Sequence, residues 1–332
     1  MSQSALTRRR FVTIVASAFG MAMLGRAVPS HASEPVRWRG SALGAQVSIE
    51  IHHPDRAAAA KLVETSVREV RRLEQIFSLY RPDSAICALN RSGVLIAPDP
   101  DMVALLQTTL RLSEQTGGAF DPTVQPLWEL YQRHFEQAGA DPAGPATADV
   151  AGALAKVGYH DVLVSADRIA LKRPGAAITL NGVAQGFATD RVVDLLRNGG
   201  MTTTLVDIGE IRAIGAKPDG APWRVGLADP EKTGVELGTV ELVDRAIATS
   251  SGAGFRFDPA GRFTHLFDPS TGRSPSLYRS VSVVAPTATE ADALSTAFSV
   301  LDRSRIAAIL RARVGVEVLL ADAEGSVQWL RA

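Results

Sequence analysis

Apolar residues recur every three to four positions through Leu62, Val63, Val67, Val70, Leu73 and Phe77, which predicts a long amphipathic helix over 55–77. A second helix is expected over 100–115, closed by Thr116-Gly117-Gly118. Val47, Ile49 and Ile51 alternate with Gln46, Ser48 and Glu50, so 38–51 reads as a first strand. Further strands are expected at 161–165, 168–172, 177–181, 202–208, 222–228, 237–243, 263–267, 281–284, 315–321 and 326–330. Helices are expected at 188–197, 290–301 and 303–312. Residues 78–90 are rich in turn formers, and 138–149, rich in Ala, Pro, Gly and Asp, read as a surface loop. Strands cluster between helices with no regular β-α-β alternation and no repeat of fixed period. That pattern predicts an α+β fold of mainly antiparallel sheets with packed helices, one compact two-lobed unit.

The first 32 residues have a different character. Arg8, Arg9 and Arg10 precede a short apolar run, 12–24, and Ser30-His31-Ala32 ends it with small residues around a candidate cleavage point. The arrangement resembles a twin-arginine (Tat) signal peptide, with the working unit over 33–332. Export through the Tat translocon to the periplasm is the expectation; a retained membrane anchor is the alternative, weakened by Gly20, Gly25 and Pro29. The whole chain has 35 basic and 35 acidic residues. Residues 1–32 carry four arginines and no acid, so 33–332 has 31 basic against 35 acidic residues, a net charge of −4. That balance speaks against nucleic acid as a partner. Cys87 is the only cysteine, which excludes an internal disulfide and a multi-thiolate metal site.

Four stretches carry candidate chemistry. In the helix expected over 290–301, Asp292 and Thr296 stand four residues apart on one face and offer two hard oxygens to a Mg²⁺ ion. The same pair also fits a plain polar couple near a helix N-terminus. Gly117-Gly118-Ala119-Phe120-Asp121-Pro122-Thr123 combines two glycines, an aromatic face and a fixed acceptor, and fits equally a helix C-cap and turn. The run from Asn181 to Arg191, punctuated by Gly182 and Gly186, is a turn that exposes backbone groups without being a P-loop or G-x-G-x-x-G. His265 precedes an Asp268-Pro269-Ser270-Thr271-Gly272 turn and could serve acid–base work or bind phosphate; a half-exposed structural histidine is the commoner fate. Ser250, Ser251 and Gly252 lie just upstream, outside any G-x-S-x-G elbow.

Taken in order, these runs resemble the ApbE family of FAD:protein FMN transferases over nearly all of 33–332. The resemblance rests on Ala42-Leu43-Gly44-Ala45, Phe77 to Ser84 with Leu89-Asn90, Gly117 to Thr123, Asn181 to Asp190, Val206 to Ile211, Ala248 to Gly252, His265 to Gly272, and Ala291 to Thr296. It implies an ApbE-like fold and an enzyme that moves FMN from FAD onto a Thr or Ser hydroxyl of an acceptor protein, with AMP released. It implies Mg²⁺ held by Asp292, Thr296 and a main-chain carbonyl near Gly182. FAD contacts are implied for Leu43, Tyr80, Ala119, Phe120, Asp121, Gln185 and His265, and catalytic roles for His265 and Asp292.

Two positions depart from the family pattern. Gln185 stands where many members carry Lys, removing a positive charge near the phosphates. Gly209-Glu210 has one glycine fewer than the usual pair. The Tat-type signal and the Asp207-Ile208-Gly209-Glu210-Ile211-Arg212 pattern are similar to accessory transferases of nitrous oxide reduction, whose acceptor is a membrane electron-transfer protein. An FAD-binding or FAD-delivering periplasmic protein, and a pyrophosphatase giving FMN and AMP, remain the alternative functions.

Overall fold

The computed structural model describes residues 36–51 and 55–331; the export-type segment expected over 1–32 lies outside the described residues. The chain opens with β1 (Val36–Ala42) and β2 (Ala45–Ile51), then α1 (Arg56–Phe77), α2 (Ala85–Ser92), β3 (Val94–Ile96) and α3 (Pro100–Gln115). Next come α4 (Gln125–Phe135), α5 (Thr147–Leu154), β4 (Val162–Val164), β5 (Arg168–Leu171), α6 (Ala184–Asn198), β6 (Thr204–Asp207) and β7 (Ile211–Ile214). β8 (Trp223–Ala228), β9 (Glu236–Leu242), β10 (Ala246–Ser250) and β11 (Tyr278–Ala285) follow, and the chain closes with α7 (Ala288–Phe298), α8 (Arg303–Leu310), β12 (Glu317–Asp322) and β13 (Val327–Arg331).

Eight strands form one sheet in the order β1-β2-β6-β7-β10-β11-β12-β13, every neighbouring pair antiparallel. One face of it shares the main core with α1, α3, α6 and α7, through Val70, Leu73, Leu105, Val192, Leu294 and Phe298. The β8–β9 hairpin covers part of the other face, where Val225, Leu227, Val240 and Leu242 meet Ile211, Ile247, Val284 and Leu319. A small sheet, β3-β5-β4, joins the main core through Val162, Ile169 and Leu171, and α4 and α5 gather an aromatic-rich core of Leu127, Tyr131, Val157 and Phe267. This is the α+β architecture that the hydrophobic pattern predicts. Among the described residues no helix is long and apolar enough to cross a membrane.

Three strand expectations are corrected. The single strand expected over 38–51 is a hairpin: Ala42 pairs with Ala45, and Leu43 (φ 49°) and Gly44 (φ 84°) make the two-residue turn with both φ positive. The strand expected over 177–181 is not in a sheet, because the Asn90 side chain takes the place of a neighbouring strand, accepting from the Ile178 N–H (2.8 Å) and donating to its carbonyl (2.8 Å). The strand expected over 263–267 reduces to one bridge, Thr264 with Arg256. The Ser274 hydroxyl instead accepts from the Thr264 N–H (2.8 Å) and donates to the Thr264 carbonyl (3.0 Å).

Helices α6 and α7 position the site by capping one another. The residue before α6, Val183, has no side-chain oxygen to receive the orphan N–H groups of the first turn. Asp292, from α7, accepts the Gly186 N–H instead (3.0 Å). In return Asp190, from α6, accepts the N–H groups of Ala288 and Thr289 (both 2.9 Å) and the Thr289 hydroxyl (2.5 Å) at the start of α7. The Arg212 guanidinium pairs with Asp190 (2.5 Å), so this buried carboxylate has a counter-charge as well as three hydrogen-bond donors. α6 accordingly begins four residues before the helix expected at 188. The Gly182–Gly186 turn thereby becomes part of the helix entry.

Candidate active site

Asp292 and Thr296 lie on consecutive turns of α7, as their spacing predicts, and they face the start of α6. A β-carbon placed on Gly182 would lie 2.9 Å from Thr296 Oγ1 and 3.3 Å from the Phe120 ring. Gly182, Thr296 and Phe120 are thus in contact, three sequence-distant predictions brought to one point. The Thr296 hydroxyl lies 3.3 Å from Ser250 Oγ, which is 2.7 Å from Ser295 Oγ. Three hydroxyls therefore cluster where β10 ends against α7.

The electrostatics are dominated by acids. Burial pushes the Asp292 carboxyl up to about 7; the Gly186 N–H works against that shift and the charge of Asp190 adds to it. Glu210, buried, is raised well above its ordinary value by desolvation, then by Asp292 and Asp207, with the Thr249 backbone N–H bonding its charged form. Asp207 is pushed up to about 6 by burial, against the Gly209 N–H that it accepts (3.1 Å).

This gives Asp207 a defined pH signature. Its carboxyl holds its proton to about pH 6 in the folded chain, against an ordinary 3.8, so the folded state binds more protons between those values. Stability is therefore expected to fall as pH rises from about 4 to about 6, with the full penalty above. Asp207→Asn keeps the acceptor for Gly209 and removes the charge. In metal-free buffer at pH 7–8 it should stabilise the protein by on the order of 1–3 kcal/mol, the gap closing below about pH 4. Urea melts across that range check both the sign and the window.

A second cluster adjoins the first through residues 181–186. Leu43, Phe77, Ser78, Tyr80, Asn181, Ala184 and Gln185 line a narrow cleft of about 10 Å³, room for roughly one water. The Tyr80 ring, 64% exposed, hydrogen-bonds Asn181 through its phenol and rests on the Leu43–Gly44 turn. Gln185 Nε2 donates to the Leu43 carbonyl (3.3 Å), and the Leu43 N–H donates to Glu74 (2.9 Å).

Asp121 sits beside Phe120 but turns inward. One oxygen accepts the Thr123 N–H (2.8 Å) and hydroxyl (2.5 Å), and the other accepts the Tyr159 N–H (3.0 Å). Ala119 packs at the edge of the main core. Gly117 (φ 62°) and Gly118 (φ 81°) supply the left-handed backbone that brings Phe120 inward. His265 packs on the turn after β10: its Cε1 would be 3.1 Å from a β-carbon on Gly254, three residues past Ser251. Its Nδ1 lies 3.3 Å from the Phe255 carbonyl, which can only accept, so Nδ1 carries the proton and Nε2 is left as the basic nitrogen. Desolvation holds the ring below its ordinary value, opposed by the hydrogen bond to the Phe255 carbonyl.

Several participants gave no separate signal in the sequence: Glu74, Ser295 and the capping role of Asp190. Glu74 reads there as one more polar residue of an amphipathic helix, and only the fold brings it to Leu43.

Comparison with known proteins identifies the family and the fold. The model of the ApbE family matches residues 43–320. The FAD:protein FMN transferase of Treponema pallidum is 33% identical over 267 residues, covering 74% of this chain and 73% of its own. That of Escherichia coli K12 is 30% identical over 306 residues, covering 89% and 86%. Among solved structures, the ApbE protein of Thermotoga maritima superposes with a TM-score of 0.80 at 28% identity, covering 89% of this chain and 96% of that one. The flavin transferase ApbE of Vibrio cholerae gives 0.76 at 27% identity, covering 90% and 96%. The fold is that of the flavin-transferase structures. The chain belongs to the ApbE family.

Proposed function

We propose that this chain transfers FMN from FAD to a Thr or Ser hydroxyl of an acceptor protein in a Mg²⁺-dependent reaction that releases AMP. The observation that carries the reading is the meeting of Thr296, Gly182 and Phe120, one turn of α7 from Asp292 at the Gly186 N–H, next to the cleft of Tyr80 and Gln185. Family membership and the names of the relatives, FAD:protein FMN transferases, support it.

The residues fit a hard divalent cation. Glu210 and Asp292 are buried acids and Asp207 a half-buried one, all three raised above their ordinary values, and a cation beside Asp292 would relieve that charge crowding. Among the described residues no group of three or more His, Cys, Asp or Glu is arranged as ligands. A carboxylate, a hydroxyl and a main-chain carbonyl near Gly182 suit Mg²⁺, which usually retains several waters. Bound there, Mg²⁺ supplies Lewis-acid stabilisation of charge on diphosphate oxygens.

The chain's own residues provide the rest. Tyr80 offers an exposed aromatic face for the flavin. His265 Nε2 takes the proton of the acceptor hydroxyl. That oxygen bonds to the FMN-side phosphorus as the bond from this phosphorus to the bridging oxygen breaks, and AMP departs. The periplasm is the proposed setting, and a membrane electron-transfer protein of nitrous oxide reduction the proposed acceptor.

The test is incubation of the purified protein with FAD, Mg²⁺ and a bacterial membrane and periplasmic extract. A covalently fluorescent acceptor band in a denaturing gel, with AMP in the supernatant, is the expected outcome. FMN and AMP without a labelled band would favour hydrolysis, and retained FAD with no AMP a carrier.

A further inference from the structure

We propose that Gln185 serves flavin transfer as a positioning residue, pinning the Leu43–Gly44 turn on which the Tyr80 ring rests and so setting the width of the cleft. The inference rests on reading that cleft as the flavin site.

The Leu43–Gly44 turn has positive φ at both residues, and at Leu43 that conformation carries a steric cost. Two hydrogen bonds hold it from opposite sides: Glu74 Oε1 accepts the Leu43 N–H (2.9 Å), and Gln185 Nε2 donates to the Leu43 carbonyl (3.3 Å). The Gln185 amide is itself confined. A β-carbon on Gly209 would fall 2.9 Å from its Cδ, and Gly209 has φ 94°, so a bare backbone packs flat against the amide. On the other side of the turn, a β-carbon on Gly44 would lie 3.3 Å from Tyr80 Cε2. The chain of contact thus runs Gly209, Gln185, Leu43–Gly44, Tyr80. One of the two Nε2 hydrogens is directed at this carbonyl, which ties the side chain to the turn. Its contribution is pre-organisation, which appears in affinity more than in the chemical step.

The experiment measures FAD binding by flavin fluorescence titration, and kcat and KM for transfer, in four variants of the full chain. Gln185→Met keeps length and removes the donor. Glu74→Ala removes the opposite tie, on α1, while Glu74→Gln retains an acceptor oxygen. The fourth is the Gln185→Met/Glu74→Ala double variant. Gln185→Met and Glu74→Ala are each expected to weaken FAD binding about 5–20-fold with kcat at saturating FAD within about twofold of the parent. The double variant should be no weaker than the weaker single, because both ties hold one turn. Glu74→Gln should stay within about twofold of the parent, and melting curves identify any variant that fails to fold. Unchanged FAD binding in Glu74→Ala beside a weakened Gln185→Met would overturn the proposal, since Gln185 would then touch the ligand directly. Multiplicative losses in the double variant would overturn it too. A parent protein that does not bind FAD would overturn the flavin reading itself.

Discussion

Asp292→Asn is expected to lower flavin transfer by about a thousandfold or more while leaving the metal-free fold intact. The asparagine side-chain oxygen can still accept the Gly186 N–H that Asp292 accepts at 3.0 Å, so the entry of α6 stays capped. What disappears is a buried negative charge that the folded chain tolerates poorly without a cation, as its elevation to about 7 records. The melting temperature in chelator should therefore be equal to or above that of the parent. Adding Mg²⁺ with FAD should raise the melting temperature of the parent and not of the variant, because only a state that binds ligand gains from it. Asp292→Ala should lose activity and also destabilise, having surrendered the cap. Differential scanning fluorimetry with and without chelator separates the two variants.

Gly186→Ala is expected to produce the largest loss of stability. A β-carbon there would lie 2.3 Å from the Ala288 carbonyl oxygen, 2.6 Å from its carbon and 2.8 Å from the Thr289 nitrogen. All three are backbone atoms of α7, so no side-chain rotation relieves the clash. The helices must separate, and the bonds from Asp190 to Ala288 and Thr289 stretch with them. The gain in helix propensity from Gly to Ala, at most about 1 kcal/mol, opposes an overpacking and cap loss on the order of 3–5 kcal/mol. A net fall of roughly 5–10 °C in melting temperature should follow. Activity should fall with it, since Asp292 is held by the Gly186 N–H.

Much of the site is legible in the sequence where the physics is local. α3 runs from Pro100 to Gln115 as its pattern predicts, because Asp99 caps the Asp101 N–H, Pro100 starts the first turn, and Gly117 and Gly118 adopt left-handed backbone after it. Asp292 and Thr296 share a face because i, i+4 spacing in a helix leaves no alternative. What is not legible depends on partners far along the chain. Alternation over 38–51 gives no hint that Leu43 reverses the chain, since a leucine at positive φ violates local preference and needs the support of Glu74 and Gln185. The segment 177–181 has strand composition, yet its pairing partner is one side chain, Asn90. The start of α6 looks like a glycine-broken turn, and it becomes helical because Asp292 arrives to cap it.

The most direct measurement is a crystal structure with FAD and Mn²⁺ in place of Mg²⁺, read through the anomalous signal of manganese. One peak is predicted between the Asp292 carboxylate, the Thr296 hydroxyl and a main-chain oxygen near Gly182, with the FAD diphosphate against it. A manganese peak elsewhere, or FAD bound with its diphosphate remote from α7, would contradict the account.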